Sequence, residues 1–256
     1  MMPLAEFARA TPFFVIAHRG SSGIAPENTL AAMRIAVEGG ARMVELDVQF
    51  SQDSKSVVFH DAVLGRTTNG HGYVRNKTFD ELRALDAGSW FATDFANERI
   101  PLLSEVLDVL RDKAYLLLEL KPLDAHTPLA DIDAIVDTIR TLELGAYTLF
   151  ASFDHTTLRH VKHLDRALHT VALNVPGDNR LPSVVCKACG ADAYGCSISE
   201  LNHARSDDAK AHNIPVGVYT VNEEAELRKA LAHGVHAVVS NYPERLTAVL
   251  AHPFTS

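Results

Sequence analysis

The segment MVELDVQ, residues 43–49, places two acids inside a stretch that otherwise has the composition of a buried strand. Side chains alternate between the two faces of a strand, so Glu45 and Asp47 share one face and the aliphatic residues share the other. We therefore expect a strand that packs against helices on its aliphatic side and lines a polar site on its acidic side.

Apolar runs alternate with amphipathic segments along the rest of the chain. Eight strand-like runs occur: Phe13–His18, Met43–Gln49, Tyr115–Lys121, Tyr147–Ser152, His169–Asn174, Asp192–Ser197, Pro215–Thr220 and Ala237–Ser240. Eight helix-like stretches alternate with them: Asn28–Glu38, Ser104–Arg111, Leu129–Leu142, His155–His163, Pro182–Ala188, Ser206–His212, Glu223–His233 and Glu244–Ala251. Apolar strands separated by helices predict a parallel sheet that helices cover on its outer face.

Eight such units in 256 residues predict an α/β protein with a (β/α)8 TIM barrel, as a single domain over residues 1–256. The alternative is a doubly wound sheet. That fold would be expected to carry G-x-G-x-x-G after its first strand, and the sequence has no such motif there.

One unit contains an insertion, at approximately residues 50–103, between the second strand and its helix. A connection of this length is uncommon unless it is functional or disordered, and its composition is not that of disorder. The run Val57–His60 indicates a return strand, and Phe79, Leu82 and Trp90 can pack a small core. Because the insertion begins where barrel active sites are built, we expect a subdomain that caps the site.

Composition limits the classes of partner. With 24 basic and 32 acidic residues the net charge is −8, which argues against nonspecific binding to nucleic acid or to anionic membranes. No stretch approaches the ~20 apolar residues of a membrane helix, and no signal-like segment begins the sequence. We therefore expect a cytoplasmic protein with a small-molecule partner and no stable membrane insertion. The oligomeric state stays open.

A third acid, Glu119, shares the inward face of the third barrel strand with Lys121. Glu45, Asp47 and Glu119 at the ends of adjacent strands would repel strongly unless a cation lay among them. Carboxylate oxygens suit Mg²⁺ or Ca²⁺ better than Zn²⁺, so we expect a divalent cation as cofactor. The alternative is a set of buried ion pairs with Arg19 or Lys121.

Two histidines end strands that flank this acid cluster. His18 ends the first strand, and His60 ends the return strand of the insertion. Histidine titrates near neutral pH, so one imidazole can accept a proton while the other donates one, and we expect catalysis from this pair rather than hydrogen-bonded structural roles. Arg19 and Lys121 are cations suited to phosphate oxygens, although Lys121 could equally neutralise the carboxylates.

Two aromatic residues lie near strand ends and are candidates for the substrate pocket. Phe153 follows the fourth barrel strand, and Tyr219 lies near the end of the seventh. Either ring could form a wall of a substrate pocket, and plain packing in the barrel is an equally good alternative for both.

Nine short motifs follow one another along the chain: His18-Arg19-Gly20, Pro26-Glu27-Asn28-Thr29, Glu45-Leu46-Asp47-Val48, His60-Asp61, Leu64-Gly65-Arg66-Thr67-Thr68, Ile100-Pro101-Leu102-Leu103, Glu119-Leu120-Lys121-Pro122, Val221-Asn222 and Tyr242-Pro243-Glu244. Each motif alone is a weak signal. In this order and spacing, over nearly the whole chain, they resemble the glycerophosphodiester phosphodiesterase family. The resemblance implies a TIM barrel with an insertion after the second strand.

The resemblance also implies three groups of side chains around a phosphodiester: ligands of a divalent ion, an acid–base pair, and two cations at the phosphate. The ligands of the ion are Glu45, Asp47 and Glu119. The acid–base pair is His18 and His60, and the cations at the phosphate are Arg19 and Lys121. Two positions depart from the family pattern. Tyr219 stands where Trp is usual, and Ser240-Asn241 stands where Thr-Asp is usual, which leaves the exact substrate open.

We therefore expect a metal-dependent enzyme that hydrolyses glycerophosphodiesters to glycerol 3-phosphate and an alcohol by histidine acid–base catalysis. One alternative is a phosphodiesterase of the phospholipase C or D type that acts on lysolipids. The other is a non-catalytic barrel that binds a phosphorylated metabolite. The head group, the metal and the identity of the acidic and basic histidines are not given by the sequence.

Overall fold

The computed structural model describes residues 1–122 and 128–251, in which eight parallel strands form a closed barrel. These strands are β1 (Phe14–His18), β2 (Met43–Phe50), β4 (Tyr115–Leu120), β5 (Thr148–Ser152), β6 (His169–Leu173), β7 (Ala193–Ser197), β8 (Val216–Tyr219) and β9 (Ala237–Ser240). The order around the barrel is β1, β9, β8, β7, β6, β5, β4, β2, and β2 pairs back onto β1. The predicted strands end within one residue of these bounds, and the TIM-barrel prediction is confirmed.

In the described part of the chain, one helix precedes the first barrel strand, one follows the last, and the others lie between strands. The helices are α1 (Leu4–Ala10), α2 (Leu30–Glu38), α3 (Phe79–Arg83), α4 (Leu103–Leu110), α5 (Leu129–Thr141), α6 (His155–Leu164), α7 (Pro182–Cys189), α8 (His203–Ala211), α9 (Glu224–Ala232) and α10 (Pro243–Ala251). Two of these helices begin at residues other than those predicted, and a side-chain cap fixes the start of each. Thr29 caps α2 by accepting a hydrogen bond from the Ala32 N–H, and Asn202 caps α8, which begins three residues earlier than Ser206, through the Arg205 N–H.

Helix α1 packs at the amino-terminal end of the barrel, and the sequence pattern does not indicate it. Leu4 and Phe7 are buried, and the Phe7 ring stacks on Tyr115 with centroids 4.5 Å apart. The Arg42 guanidinium lies over the same ring at 4.5 Å. Seven residues with two buried positions are too few to show a helical period in the sequence.

An apolar cavity of about 340 Å³ lies in the barrel between α1 and the carboxyl ends of the strands. Gly195 of β7 and Gly217 of β8 form part of its wall, where barrels usually pack bulky side chains. A Cβ built on Gly217 meets no atom within 4 Å. Leu173 and Tyr219 line both this cavity and the pocket above it, so they form part of the floor of the candidate site.

The insertion occupies residues 51–102, between β2 and α4. Its strand β3 (Ser56–Val58) runs antiparallel to β2, and two 3₁₀ turns at Val74–Asn76 and Thr93–Phe95 flank α3. The segment has its own buried cluster, which consists of Val57, Phe59, Leu64, Val74, Leu82, Ala87 and Ile100. Arg75 ties it to the barrel shell, because its Nη1 lies 2.9 Å from Oδ2 of Asp131 in α5. The insertion is therefore packed internally and anchored externally.

Among the residues described, we find no helix that is both long and apolar enough to cross a lipid bilayer.

Candidate active site

The candidate site lies at the carboxyl ends of β1, β2 and β4. In the register of the sheet His18 is the partner of Glu45, and Asp47 is the partner of Glu119. Inward-facing residues at matching heights on neighbouring strands lie close together. The register thus brings one histidine and three acids to one edge of the barrel.

Glu45, Asp47 and Glu119 form a compact acid cluster. One carboxylate oxygen of each lies within 4.8 Å of the others, and Glu45 and Asp47 are only 5% and 0% exposed. Oε2 of Glu45 accepts a hydrogen bond from the Arg19 N–H at 2.9 Å, while its buried Oε1 has no hydrogen-bond partner among the described residues. Burial, followed by the charge of Asp47, raises the pKa of Glu45 and of Glu119. This oxygen donor set could hold a hard divalent cation.

Two cationic side chains contact the acid cluster. Lys121 Nζ lies 2.5 Å from both Asp47 Oδ1 and Glu119 Oε1, and Arg19 Nε lies 3.1 Å from Asp47 Oδ2. Burial alone would raise the pKa of Asp47, but Lys121 and then Arg19 outweigh it and hold that pKa well below its usual range. These are the ion pairs of the alternative interpretation. They still leave Glu45 Oε1 without a partner in the described chain.

The loop after β1 has an unusual backbone that presents Arg19. Arg19 and Gly20 have φ values of 55° and 79°, and a Cβ at Gly20 would lie 2.6 Å from the backbone of Ala32 in α2. Asn28 also has a positive φ, of 60°. Its N–H donates to the Arg19 carbonyl at 3.0 Å, and its Nδ2 donates to Asp47 Oδ2 at 2.7 Å. Asn28 therefore holds both the loop and one acid of the cluster.

His18 has different partners at its two ring nitrogens. Nδ1 lies 2.6 Å from Oδ1 of Asn241, which follows β9, and Nε2 lies 4.0 Å from Glu45 Oε2. Burial, and then the positive charge of Arg19, lower the pKa of His18 to about 4. The imidazole is therefore neutral at neutral pH and able to accept a proton.

His60 lies beyond the end of a strand, not at it as predicted, because β3 ends at Val58. The Phe59 N–H still donates to the Asp47 carbonyl of β2 at 3.0 Å. Beyond it the Gln49 side chain takes over, with its Nε2 at 3.1, 2.8 and 2.6 Å from the carbonyl oxygens of Phe59, His60 and Asp61. One side-chain amide can thus end the strand pairing and still fix the backbone that carries His60.

The His60 ring is paired with a carboxylate. Nδ1 lies 2.6 Å from Asp61 Oδ1, and Asp61 Oδ2 accepts a hydrogen bond from Arg66 Nε at 2.6 Å. Burial would raise the pKa of Asp61, but hydrogen bonds from Arg66 and His60 lower it. The Asp61 carboxylate therefore orients the His60 ring through Nδ1.

Glu27 connects the arginine beside His18 with the arginine that pairs with the partner of His60. Its Oε1 lies 2.8 Å from Nη1 of Arg19 and 2.7 Å from Nη2 of Arg66. In the sequence, Glu27 and Asn28 lie at the predicted start of the first helix. In the structure Thr29 is the residue that caps this helix. Their contacts with the site are an additional function that this pattern does not reveal.

Phe153 and Tyr219 lie on the apolar side of a pocket of about 170 Å³. Their rings meet edge to face with centroids 6.1 Å apart, and His18, Arg19, Glu45, His60 and Glu119 line the same pocket. A wider depression of about 600 Å³ continues outward over His60, Arg66, Glu119, Lys121 and Phe153. All nine predicted site residues therefore lie in these two connected depressions or, for Asp47, directly behind them.

The arrangement combines an oxygen site for a cation, two fixed cationic side chains and two imidazoles in different electrostatic surroundings. Such a set can bind an anionic ester, neutralise charge on its oxygens and move protons in opposite directions. This is the chemistry that cleavage of a phosphoester requires.

The glycerophosphoryl diester phosphodiesterase family model matches residues 18–245. A glycerophosphodiester phosphodiesterase of Caldanaerobacter subterraneus is 34% identical over 235 residues, which cover 91% of this chain and 95% of that protein. One of Bacillus subtilis is 33% identical over 248 residues, covering 90% and 83% respectively. The solved structure of an Oleispira antarctica phosphodiesterase with its product sn-glycerol-3-phosphate matches with a TM-score of 0.86 at 33% identity, covering 95% of this chain and 99% of that chain. A family match that begins at His18 and extends through the last barrel strand shows that this chain belongs to the glycerophosphoryl diester phosphodiesterase family.

Proposed function

We propose that the protein hydrolyses glycerophosphodiesters to sn-glycerol 3-phosphate and an alcohol. The observation that carries the proposal is the convergence of the acid cluster, two cations and two imidazoles on one pocket at the carboxyl end of the barrel. The Oleispira relative, at 33% identity, holds sn-glycerol-3-phosphate as its product, which supports the same product here.

We propose that Glu45, Asp47 and Glu119 hold a divalent cation, Mg²⁺ or Ca²⁺. Their donor set consists of carboxylate oxygens within 4.8 Å of one another, and the unpaired buried Oε1 of Glu45 fits a further positive ligand. A bound cation would neutralise charge on the phosphate oxygens. Arg19 and Lys121, which already lie against the acids, would contact the phosphate from the protein side.

We assign the base to His18 and the acid to His60. His18 is paired with a neutral amide at Nδ1, and its lowered pKa keeps the ring unprotonated. The other ring nitrogen would therefore take the proton from the nucleophile, either water or a neighbouring substrate hydroxyl. His60 is held at Nδ1 by the Asp61 carboxylate, so its other ring nitrogen is the one that would donate a proton to the leaving alkoxide. Phe153 and Tyr219 would form the wall for the carbon skeleton of the substrate.

A coupled assay for glycerol 3-phosphate over a panel of glycerophosphodiesters, with EDTA and with Mg²⁺ or Ca²⁺ added back, tests this function. His18→Gln and His60→Gln should each lower kcat by roughly 10²–10⁴-fold, the usual contribution of a general acid or base. His160→Gln is the matched control, because His160 also lies 2.6 Å from an aspartate, Asp133, but on the helical shell. Activity close to wild type in either site variant would contradict the assignment.

A lysolipid substrate is the second candidate, because aliphatic side chains are exposed near the mouth of the pocket. Val63 lines the outer depression and is exposed, and Ile24 is exposed in the loop that follows β1. Turnover of lysophosphatidylcholine vesicles faster than glycerophosphocholine would favour this substrate. No turnover of any diester, with metal present, would favour the non-catalytic barrel.

A further inference from the structure

Asn241 contacts His18 on the ring edge that does not face Glu45. The residue follows β9, and its Oδ1 lies 2.6 Å from His18 Nδ1. The two residues are 223 positions apart in the chain, so closure of the barrel between β9 and β1 creates the contact. An acceptor at this distance is well placed to bind a ring N–H.

The position of Asn241 is itself fixed by three further hydrogen bonds. Its N–H donates to Asn222 Oδ1 at 2.9 Å, and its carbonyl oxygen accepts from the Gly23 N–H at 2.8 Å. Its Oδ1 also accepts from the Ser22 hydroxyl at 3.1 Å. Backbone and side chain are thus held from both the β8 and the β1 loops, and the amide oxygen is kept pointing at His18.

An amide oxygen accepts hydrogen bonds and carries no charge. In a neutral imidazole one nitrogen carries the proton and the other carries the lone pair, and the partner of the first decides which is which. A proton on Nδ1, bound to Asn241, leaves the lone pair on Nε2, the nitrogen on the side of Glu45 and the pocket. The opposite tautomer would direct a lone pair at the Asn241 oxygen and leave Nε2 unable to accept a proton.

We propose that Asn241 is a positioning residue that holds His18 in the Nδ1–H tautomer, so that Nε2 is the nitrogen that accepts the proton in the reaction. The inference rests on the function proposed above for His18. It assigns to the two histidines different kinds of support: a neutral amide for His18, and a carboxylate for His60.

The test uses two variants of similar size. Asn241→Leu removes the acceptor, and Asn241→Asp keeps an acceptor at the same reach. Long-range ¹H–¹⁵N spectra of the imidazoles in the metal-free full-length protein report the tautomer, and the signals absent from His18→Gln identify His18. Wild type and Asn241→Asp should show Nδ1–H, and Asn241→Leu should shift toward Nε2–H.

The kinetic readout follows from the same variants. Asn241→Leu should lower kcat by about 10²-fold or more, while KM changes by less than about threefold, because ground-state binding does not use the tautomer. The kcat of Asn241→Asp should be at least about tenfold higher than that of Asn241→Leu. If Asn241→Leu does not fold, Asn241→Ala removes the same acceptor.

Three results would overturn the proposal: an Nε2–H tautomer in wild type, an unchanged tautomer in Asn241→Leu, or a kcat in Asn241→Leu close to wild type. The spectra need no substrate, so they separate this inference from the proposed function. A protein that cleaves no glycerophosphodiester yet shows the expected spectra would contradict the function and leave the tautomer assignment standing.

Discussion

Replacing Lys121 by methionine should destabilise the metal-free protein and strengthen its binding of divalent cations. Lys121 Nζ lies 2.5 Å from one oxygen of Asp47 and from one oxygen of Glu119, in the place where a cation among the acids would act. Methionine keeps an unbranched side chain, shorter by one heavy atom, and removes the charge. The acid cluster would then keep Arg19 and lose the cation that contacts two of its members.

The size of the effect follows from the burial of these groups. Removing one partner of a buried ion pair costs about 3–5 kcal/mol. Because the Lys121 side chain is 18% exposed, we expect the lower end, about 3 kcal/mol. At about 2–4 °C per kcal/mol for a chain of this size, the melting temperature in EDTA should fall by about 6–12 °C.

Calcium should offset this loss and should bind the variant more tightly than the wild type. An ion bound as proposed would have to displace the Lys121 ammonium from two carboxylates in the wild-type protein, and in the variant it would not. At 100 times its Kd, an ion stabilises the folded state by about 2.7 kcal/mol, which nearly equals the expected loss. Titration calorimetry with Ca²⁺ and thermal unfolding in EDTA or Ca²⁺ measure both effects.

Lys162→Met is the matched control. Lys162 Nζ lies 2.7 Å from Asp192 Oδ2, a similar distance, but Asp192 is 43% exposed and a pair of this kind contributes at most about 1 kcal/mol. This variant should melt close to wild type and bind Ca²⁺ equally well. If Lys121→Met melts like Lys162→Met in EDTA and binds Ca²⁺ no more tightly than wild type, the acid cluster does not depend on Lys121 and the reasoning fails.

Four other substitutions test separate parts of the structure. Gln49→Leu should lower kcat more than about tenfold, because it removes the side-chain amide that holds the backbone of His60. Steady-state kinetics measure this effect, and an unchanged kcat would contradict it. In EDTA, the free energy of unfolding of wild type relative to that of Glu45→Gln should fall as pH rises above 4.5, because burial raises the pKa of Glu45 and the folded state binds that proton more tightly. Urea titrations of the two proteins over a pH series measure this difference, and a constant difference would contradict it. Gly217→Ala should stabilise the protein by about 1–2 kcal/mol, because the added methyl group partly fills the barrel cavity. Gly190→Ala should destabilise it, because Gly190 has a φ of +73°, a left-handed conformation that is unfavourable for alanine; thermal unfolding distinguishes the two.

The barrel and its acid cluster could be predicted because both depend on short-range periodicity. Alternation along β2 places Glu45 and Asp47 on one face, and parallel pairing of successive strands then brings Glu119 to the same height. Eight repeats of strand and helix leave few alternatives for the fold. These features need no knowledge of loop conformation.

The contacts that orient the site could not be predicted because they depend on loops and on barrel closure. Asn28 reaches Asp47 from a left-handed backbone, and Asn241 reaches His18 from the far end of the chain. Gln49 looks like an ordinary inward polar residue of β2 until the path of the insertion is known. Hydrogen bonds of this kind produce no periodic pattern of residue types in the sequence.

The two imidazoles belong to parts of the molecule that have different buried clusters. His18 ends a barrel strand, whereas His60 stands in the insertion, beside a buried cluster that the barrel core does not share. A proteolytic cut or a binding partner that loosened the insertion would withdraw one imidazole and leave the acids and the other imidazole in place. With His60 in its proposed role, changes in a peripheral module would silence or retune turnover, while the barrel walls that maintain the fold stay untouched.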